Sequence, residues 1–296
     1  MENNSGGGLC FFPWRRIRIA AMGLVCFAAA QAPAEIPGKT HAGPASDEAL
    51  VPAGDFRMGF PEGEGGPDEH PGHKVYVDAF YIDRYEVTVE RYKECVAEGK
   101  CSAPKTGVGC NWGNPKRGKN HPVNCVEWGQ ADSYCKWAGK RLPTEAEWEK
   151  AARGGTDTKY SFGDDEAVLG DYAWYWDNSG GKDRLARFIA ARYLFLKRYL
   201  DDYGGLTHPA GEKKPNQFGL YDMYGNVWEW VSDWYGENYY KSSPERNPGG
   251  PLNGKERVVR GGNWHLGAKS CRSAHRSRFP PTMWYDITGF RCAFRR

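Results

Sequence analysis

Asp222 and Glu229 are hard anionic oxygen donors seven positions apart in the stretch Gly219–Trp230, GLYDMYGNVWEW. Between them lies Gly225-Asn226, a chain-reversal pair, because both residues tolerate positive φ. After the turn, Val227-Trp228-Glu229-Trp230 alternates as a half-buried strand does. Val227 and Glu229 then share one face, and both tryptophans share the other. Two carboxylates and the carbonyls bared at such a turn make an oxygen cage for Ca²⁺. The competing reading is a plain turn with one surface glutamate and two core tryptophans, and the stretch by itself favours that reading.

A second chemistry-bearing stretch runs from Arg260 to Arg296 and carries His265, Cys271 and His275 among many arginines. A thiol beside an imidazole is a nucleophile–base pair. If the segment is extended, Cys271 and His275 stand about 13 Å apart, at ~3.3 Å per residue. They then share neither a proton nor a metal. Tryptophan, glycine and apolar residues interleave with the arginines, which suits buried or cleft-lining guanidiniums as well as a solvated basic face.

Elements must position these residues. Thr88 caps a helix running to about Glu98, with Gly99 as its stop. Glu127–Ala138 is a helix whose Trp128, Ala131, Cys135 and Ala138 share a face, and Gly139 ends it. In KRLPTEAEWEKAARGG, Thr144 and Glu147 form a T-x-x-E capping box ahead of good helix formers. Leu50–Gly59 reads as a first strand and turn, Lys74–Ile82 as a second strand, and Gly63–His73 as a surface loop. Residues 183–203 form an amphipathic helix with a Leu/Phe/Ile stripe and a basic face. It either packs on its own domain or meets a partner or membrane surface.

Composition bounds the class. The 296 residues suffice for one large domain or two small ones. With 38 Gly and 19 Pro, turns and loops should dominate over long helices. A net charge of only +3 gives no reason to expect nucleic acid. Arg15, Arg16 and Arg18 precede an apolar run, Ile19–Ala30, and Ala32-Pro33-Ala34 fits a cleavage site. Residues 1–34 therefore read as a signal peptide and 35–49 as a linker, with a domain from 50 to 296. Export to a periplasmic or extracellular space follows, with no transmembrane segment after cleavage. An uncleaved anchor and lipidation at Cys26 are the alternatives. Beyond the leader seven cysteines remain, without a CxxC pair, in a compartment that favours disulfides. Cys95 and Cys101 are near enough to bridge.

Seven ordered motifs resemble the formylglycine-generating enzyme (sulfatase-modifying factor) family. They are Gly54–Gly59, Tyr85–Thr88, His121–Asn124, Trp137–Trp148, Phe218–Trp230, Arg260–Trp264 and Gly289–Arg291. The resemblance implies an α+β domain with a C-type-lectin-like core and little regular secondary structure. It implies a structural calcium site on Asp222, Glu229 and the carbonyls of Gly225 and Val227. A ligand cleft is expected at Asn263, Trp264, His265 and Arg276, and the resemblance also implies a disulfide between Cys135 and Cys292. Cys110–Cys125 would then close the Gly/Pro-rich loop and leave Cys271 free.

The family's enzymes bind Cu(I) through two cysteines that follow their R-G-G motif, as two soft thiolates should. Here those positions hold Leu266 and Ala268, and the stretch is shorter. Ile287 replaces an asparagine before G-F-R, and of the substrate-cleft residues Arg276 alone matches. Copper and formylglycine generation are therefore not carried over. The expectation is an exported binding or accessory module that takes a protein or small-molecule ligand in its C-terminal cleft. The rival is an oxidoreductase of the formylglycine-generating and non-haem-iron superfamily, acting on a peptide or small molecule. Metal content separates the two.

Overall fold

The computed structural model describes residues 47–61, 63–180 and 207–296. The expected leader, most of the linker and the 183–203 helix lie outside the described residues. The first strand begins at Glu48, ahead of the expected domain start.

Each long strand read from the sequence is two. β1 (Glu48–Val51) and β2 (Gly54–Met58) part at Pro52, which has no amide to continue a ladder. β3 (His73–Val77) and β4 (Phe80–Asp83) part at Asp78, whose amide donates to Asn247 Oδ1 at 2.9 Å. β2 pairs with β3, while β1 and β4 form a different sheet with β11 (Ala293–Phe294). That sheet joins the two ends of the described chain.

The helices start and stop where their capping residues stand. Thr88 Oγ1 accepts the Arg91 amide at the start of α1 (Val89–Ala97), and Gly99 follows at φ 69°. α2 spans Trp128–Trp137 behind Glu127, whose amide donates to Gln130 Oε1. In α3 (Glu145–Arg153), Thr144 and Glu147 close the capping box and Gly154 ends the helix at φ 61°.

The second sheet has the order β10 (Thr288–Gly289), β7 (Trp228–Trp234), β8 (Arg257–Arg260), β9 (Arg276–Phe279). β5 (Ala173–Trp174) pairs in parallel with β6 (Tyr224–Gly225). β7 separates two apolar clusters. Val231 joins Phe80, Trp148 and Tyr224 on one side, while Trp228 and Trp230 join Tyr92, Tyr134 and Phe290 on the other. The strand is thus covered on both faces rather than half-buried.

Disulfides join Cys95 to Cys101, Cys110 to Cys125 and Cys135 to Cys292, and Cys271 is free and buried. Among the described residues no helix is long and apolar enough to cross a membrane.

Candidate functional site

The turn forms as its residues dictate. Asp222, Gly225 and Asn226 take φ of 53°, 75° and 53°. A side chain at Gly225 would put its Cβ 2.1 Å from the Trp174 carbonyl oxygen, so the close approach of β5 requires glycine there. Asn226 Nδ2 donates to Glu86 Oε2 at 2.8 Å, and its Oδ1 accepts the His208 amide at 2.9 Å. Glu86 Oε1 also accepts the Val227 amide. Sequence reasoning passed over Glu86, although it stands inside the Tyr85–Thr88 motif.

Three carboxylates are buried together: Glu86, Asp222 and Glu229 are 0%, 2% and 1% exposed. Glu229 is a core residue, not a surface one. Arg291 holds it with Nε 2.7 Å from Oε2 and Nη2 2.6 Å from Oε1, and Trp148 Nε1 donates to Oε2 at 2.8 Å. Asp222 Oδ2 accepts the Gly211 amide at 2.6 Å, while Oδ1 is buried without a partner. Burial pushes the Glu86 carboxyl well above its ordinary range, and the neighbouring Asp222 and Glu229 push it further. Burial likewise raises Asp222. Arg291 offsets Glu229, and the upward shifts of Glu86 and Asp222 mark two carboxyls that hold their protons more tightly than usual. The bare Asp222 Oδ1 is the donor this turn offers a hard cation. At Glu229 such a cation would share oxygens already held by Arg291 and Trp148.

The C-terminal stretch is tied to this turn. The Trp264 amide donates to the Asn226 carbonyl at 2.9 Å, and the Trp264 carbonyl accepts Ser179 Oγ at 2.6 Å. Asn263 is buried, and its Oδ1 accepts the His265 amide at 2.7 Å. His265 is exposed, with the rings of Trp264 and Trp176 edge-on at 5.2 and 5.4 Å. Leu266 packs on the Trp228–Phe290 cluster and Ala268 joins the other.

Arg276 does not join this surface. It is 3% exposed, and its Nε and Nη2 grip Glu145 at 2.6 and 2.8 Å beneath the Tyr240 ring. The sequence places it in the cleft, and in the structure Glu145 holds it away from the His265 surface. The segment before it is not extended either, because Ala268–Cys271 is a 3₁₀ turn. Burial pushes the Cys271 thiol up to about 12. His275 Nδ1 lies 3.3 Å from Glu69. Burial and the Glu69 contact, rather than extension, keep the thiol and the imidazole from acting as a reactive pair.

The arginines of this region mostly serve the frame. Every residue of α3 is buried, charges included. Glu145 takes Arg276, Glu147 takes Arg141 and Arg295, and Glu149 takes Arg153 and Arg260. Glu69, expected in a surface loop, is 1% exposed and grips Arg272 through both oxygens at 2.7 Å. Burial works to raise its pKa, but the His275 and Arg272 hydrogen bonds outweigh it and hold the carboxyl at about 2. The only advance signal was the alternation of Glu145, Glu147 and Glu149 opposite an arginine-rich C-terminus.

Residues 33–296 match the sulfatase-modifying factor enzyme 1-like domain. The formylglycine-generating enzyme of Streptomyces coelicolor is 35% identical over 287 residues, spanning 82% of this chain and 87% of that one. Among solved structures, PvdO from Pseudomonas aeruginosa superposes with a TM-score of 0.67 at 30% identity, over 84% of this chain and 94% of its own. Treponema denticola variable protein 1 gives 0.65 at 28% identity, over 84% and 95%.

Proposed function

The chain belongs to the sulfatase-modifying factor enzyme 1-like family, and we propose that it serves there as an exported binding or accessory module rather than as a formylglycine generator. What supports this reading is the count along the chain from the Arg260 motif, by which the resemblance puts Leu266 and Ala268 where the family's enzymes bear copper-binding cysteines. Two aliphatic side chains cannot hold Cu(I). Among the described residues the remaining thiol, Cys271, is buried and its pKa is pushed up to about 12, so it offers no replacement.

Calcium is the metal this reading assigns. Asp222 supplies a bare carboxylate oxygen, Gly225 and Val227 supply carbonyls, and Glu229 supplies a shared carboxylate. When bound, the ion would meet the bare Asp222 oxygen and fix the turn. Asn226 and Trp264 would pass that rigidity to the surface carrying His265. A protein or small-molecule ligand would meet His265 and the neighbouring Trp176 there, with Asn263 and Trp264 shaping the backbone beneath. The three disulfides and the leader-like N-terminus support an oxidising compartment.

The test is to incubate purified protein with a sulfatase-type cysteine peptide, oxygen and copper, and to read the peptide by mass spectrometry. Unchanged peptide, with calcium as the stoichiometric metal on elemental analysis, is the expected result. Formylglycine on the peptide, or a stoichiometric redox metal, would overturn the reading.

A further inference from the structure

The buried charges of α3 come in pairs, with one exception. Lys150 is 6% exposed, yet its ammonium donates only to carbonyls, Gly54 O at 2.8 Å and Val77 O at 3.2 Å. Among the described residues no carboxylate pairs with it. Asp55 is taken by Lys74 at 3.0 Å, and Asp78 by Arg246 and Arg295. Burial pulls the Lys150 pKa down, and the more distant Asp55 and Asp78 pull only weakly the other way. A buried ammonium without a counter-ion is costly, and such groups concentrate at functional sites.

Lys150 lines a cavity of about 570 Å³ between the β2–β3 hairpin and the end of α3. That volume lies within the range of small-molecule sites. Phe56 and Phe218 give it apolar walls, and both are only partly buried by the core. His73 lines it too. Its Nδ1 lies 3.0 Å from the Pro71 carbonyl, which can only accept, so Nδ1 carries the hydrogen. Its Nε2 then carries the lone pair and is buried without a partner among the described residues, so His73 is a wall of the cavity and not a donor to an anion. Arg57 and Asp157 are exposed at the same cavity, and Asp55 and Lys74 line it as an ion pair, so Lys150 is the buried lining cation that no carboxylate holds among the described residues. None of these residues belongs to the His265 surface or to the carboxylate turn.

We propose that this cavity is a second ligand site, which takes a small organic carboxylate with a flat apolar body. Lys150 is the counter-ion, and Phe56 and Phe218 hold the body. The cation explains the choice of an anion, and the two rings explain the choice of a flat apolar partner over a bare inorganic ion.

Benzoate is the probe, with benzyl alcohol as its neutral counterpart, each titrated into the full chain by calorimetry and saturation-transfer NMR. Benzoate should bind saturably, and benzyl alcohol about tenfold more weakly or worse. Lys150→Met should weaken benzoate by a similar factor. That variant also strips the Gly54 and Val77 carbonyls of their donor, so Phe218→Ala is the companion. It leaves α3 untouched and should weaken benzoate about fivefold through lost ring contact. The proposal is overturned if the native chain binds benzoate no better than benzyl alcohol. It is equally overturned if Phe218→Ala and a folded Lys150→Met both bind as the native chain does.

Discussion

Arg291 closes on Glu229 through Nε and Nη2, and its Nη1 and Nη2 also reach the carbonyls of Asp83, Arg84 and Tyr221. Every donor of this guanidinium has an acceptor. Glu229 therefore has a structural duty whether or not calcium is bound, and the two proposed carboxylate ligands should respond differently to substitution.

Asp222→Asn should erase a calcium-dependent rise in melting temperature while leaving the chelated protein near the native value. Glu229→Gln should lower the melting temperature in chelator as well, because Arg291 is left buried without its counter-charge, a loss of about 3–5 kcal/mol. Differential scanning fluorimetry with and without chelator checks both. A native chain whose melting temperature ignores calcium would remove the cage.

The contrast shows what the sequence carries and what it does not. Local signals sufficed for the helices, since Thr88 and Thr144 cap where their side chains can reach a free amide. The Gly225-Asn226 turn was equally legible, as was Cys135–Cys292 once the family pattern was seen. Long-range pairing was not. Nothing local marks Glu86 as the clamp of a turn some 140 positions away, or Arg276 as the partner of Glu145. The strand break at Asp78 was missed for the same reason, because its amide leaves the ladder for Asn247, whereas the break at Pro52 had a local cause that was passed over.

Arg276→Ala tests whether that arginine is frame or cleft. Glu145 would lose its closest partner and keep Arg260 at 3.6 Å and the Tyr240 hydroxyl at 3.4 Å, so the stability loss should approach 3–5 kcal/mol. Chemical denaturation measures it. A variant with native stability and abolished ligand binding would return Arg276 to the cleft.

Acid and base should act through different groups. Burial raises Asp233 from 3.8 to about 7, with nearby Glu145 adding to the effect. The folded state then holds the extra proton between these values, so stability falls as pH rises through that window. Asp233→Asn should flatten the fall, by about 4 kcal/mol at most. Glu69 has the opposite sign. Its contribution is complete above pH 4.5 and is lost as pH falls toward 2. Glu69→Gln should therefore lower stability at neutral pH and converge with the native chain in acid. Melting curves from pH 2 to 8 decide both, and parallel native and variant curves would refute the assignments.

Cys271 should resist thiol reagents in the native state, because its sulfur is buried and its pKa is pushed up to about 12. In denaturant without reductant, one equivalent should react besides Cys10 and Cys26, since the disulfides account for every other cysteine from Cys95 onward. Rapid native-state labelling at residue 271, mapped by peptide mass, would make it an accessible thiol and reopen the case for chemistry in this stretch.

The disulfides should differ sharply in weight. Cys95–Cys101 closes a separation of 6 residues and Cys110–Cys125 one of 15, whereas Cys135–Cys292 closes 157. Loop entropy grows with the logarithm of length, so the long bridge is worth about 5 kcal/mol as an upper figure. It also fastens α2 to the residue just before β11, the strand that completes the sheet begun by β1. Its loss therefore frees the C-terminal strand as well as the chain. Cys135→Ala should lower the denaturation midpoint most, and Cys95→Ala least. Equal effects from the two variants would show that packing of Tyr92, Tyr134 and Phe290, rather than the crosslink, holds α2 against the C-terminal segment.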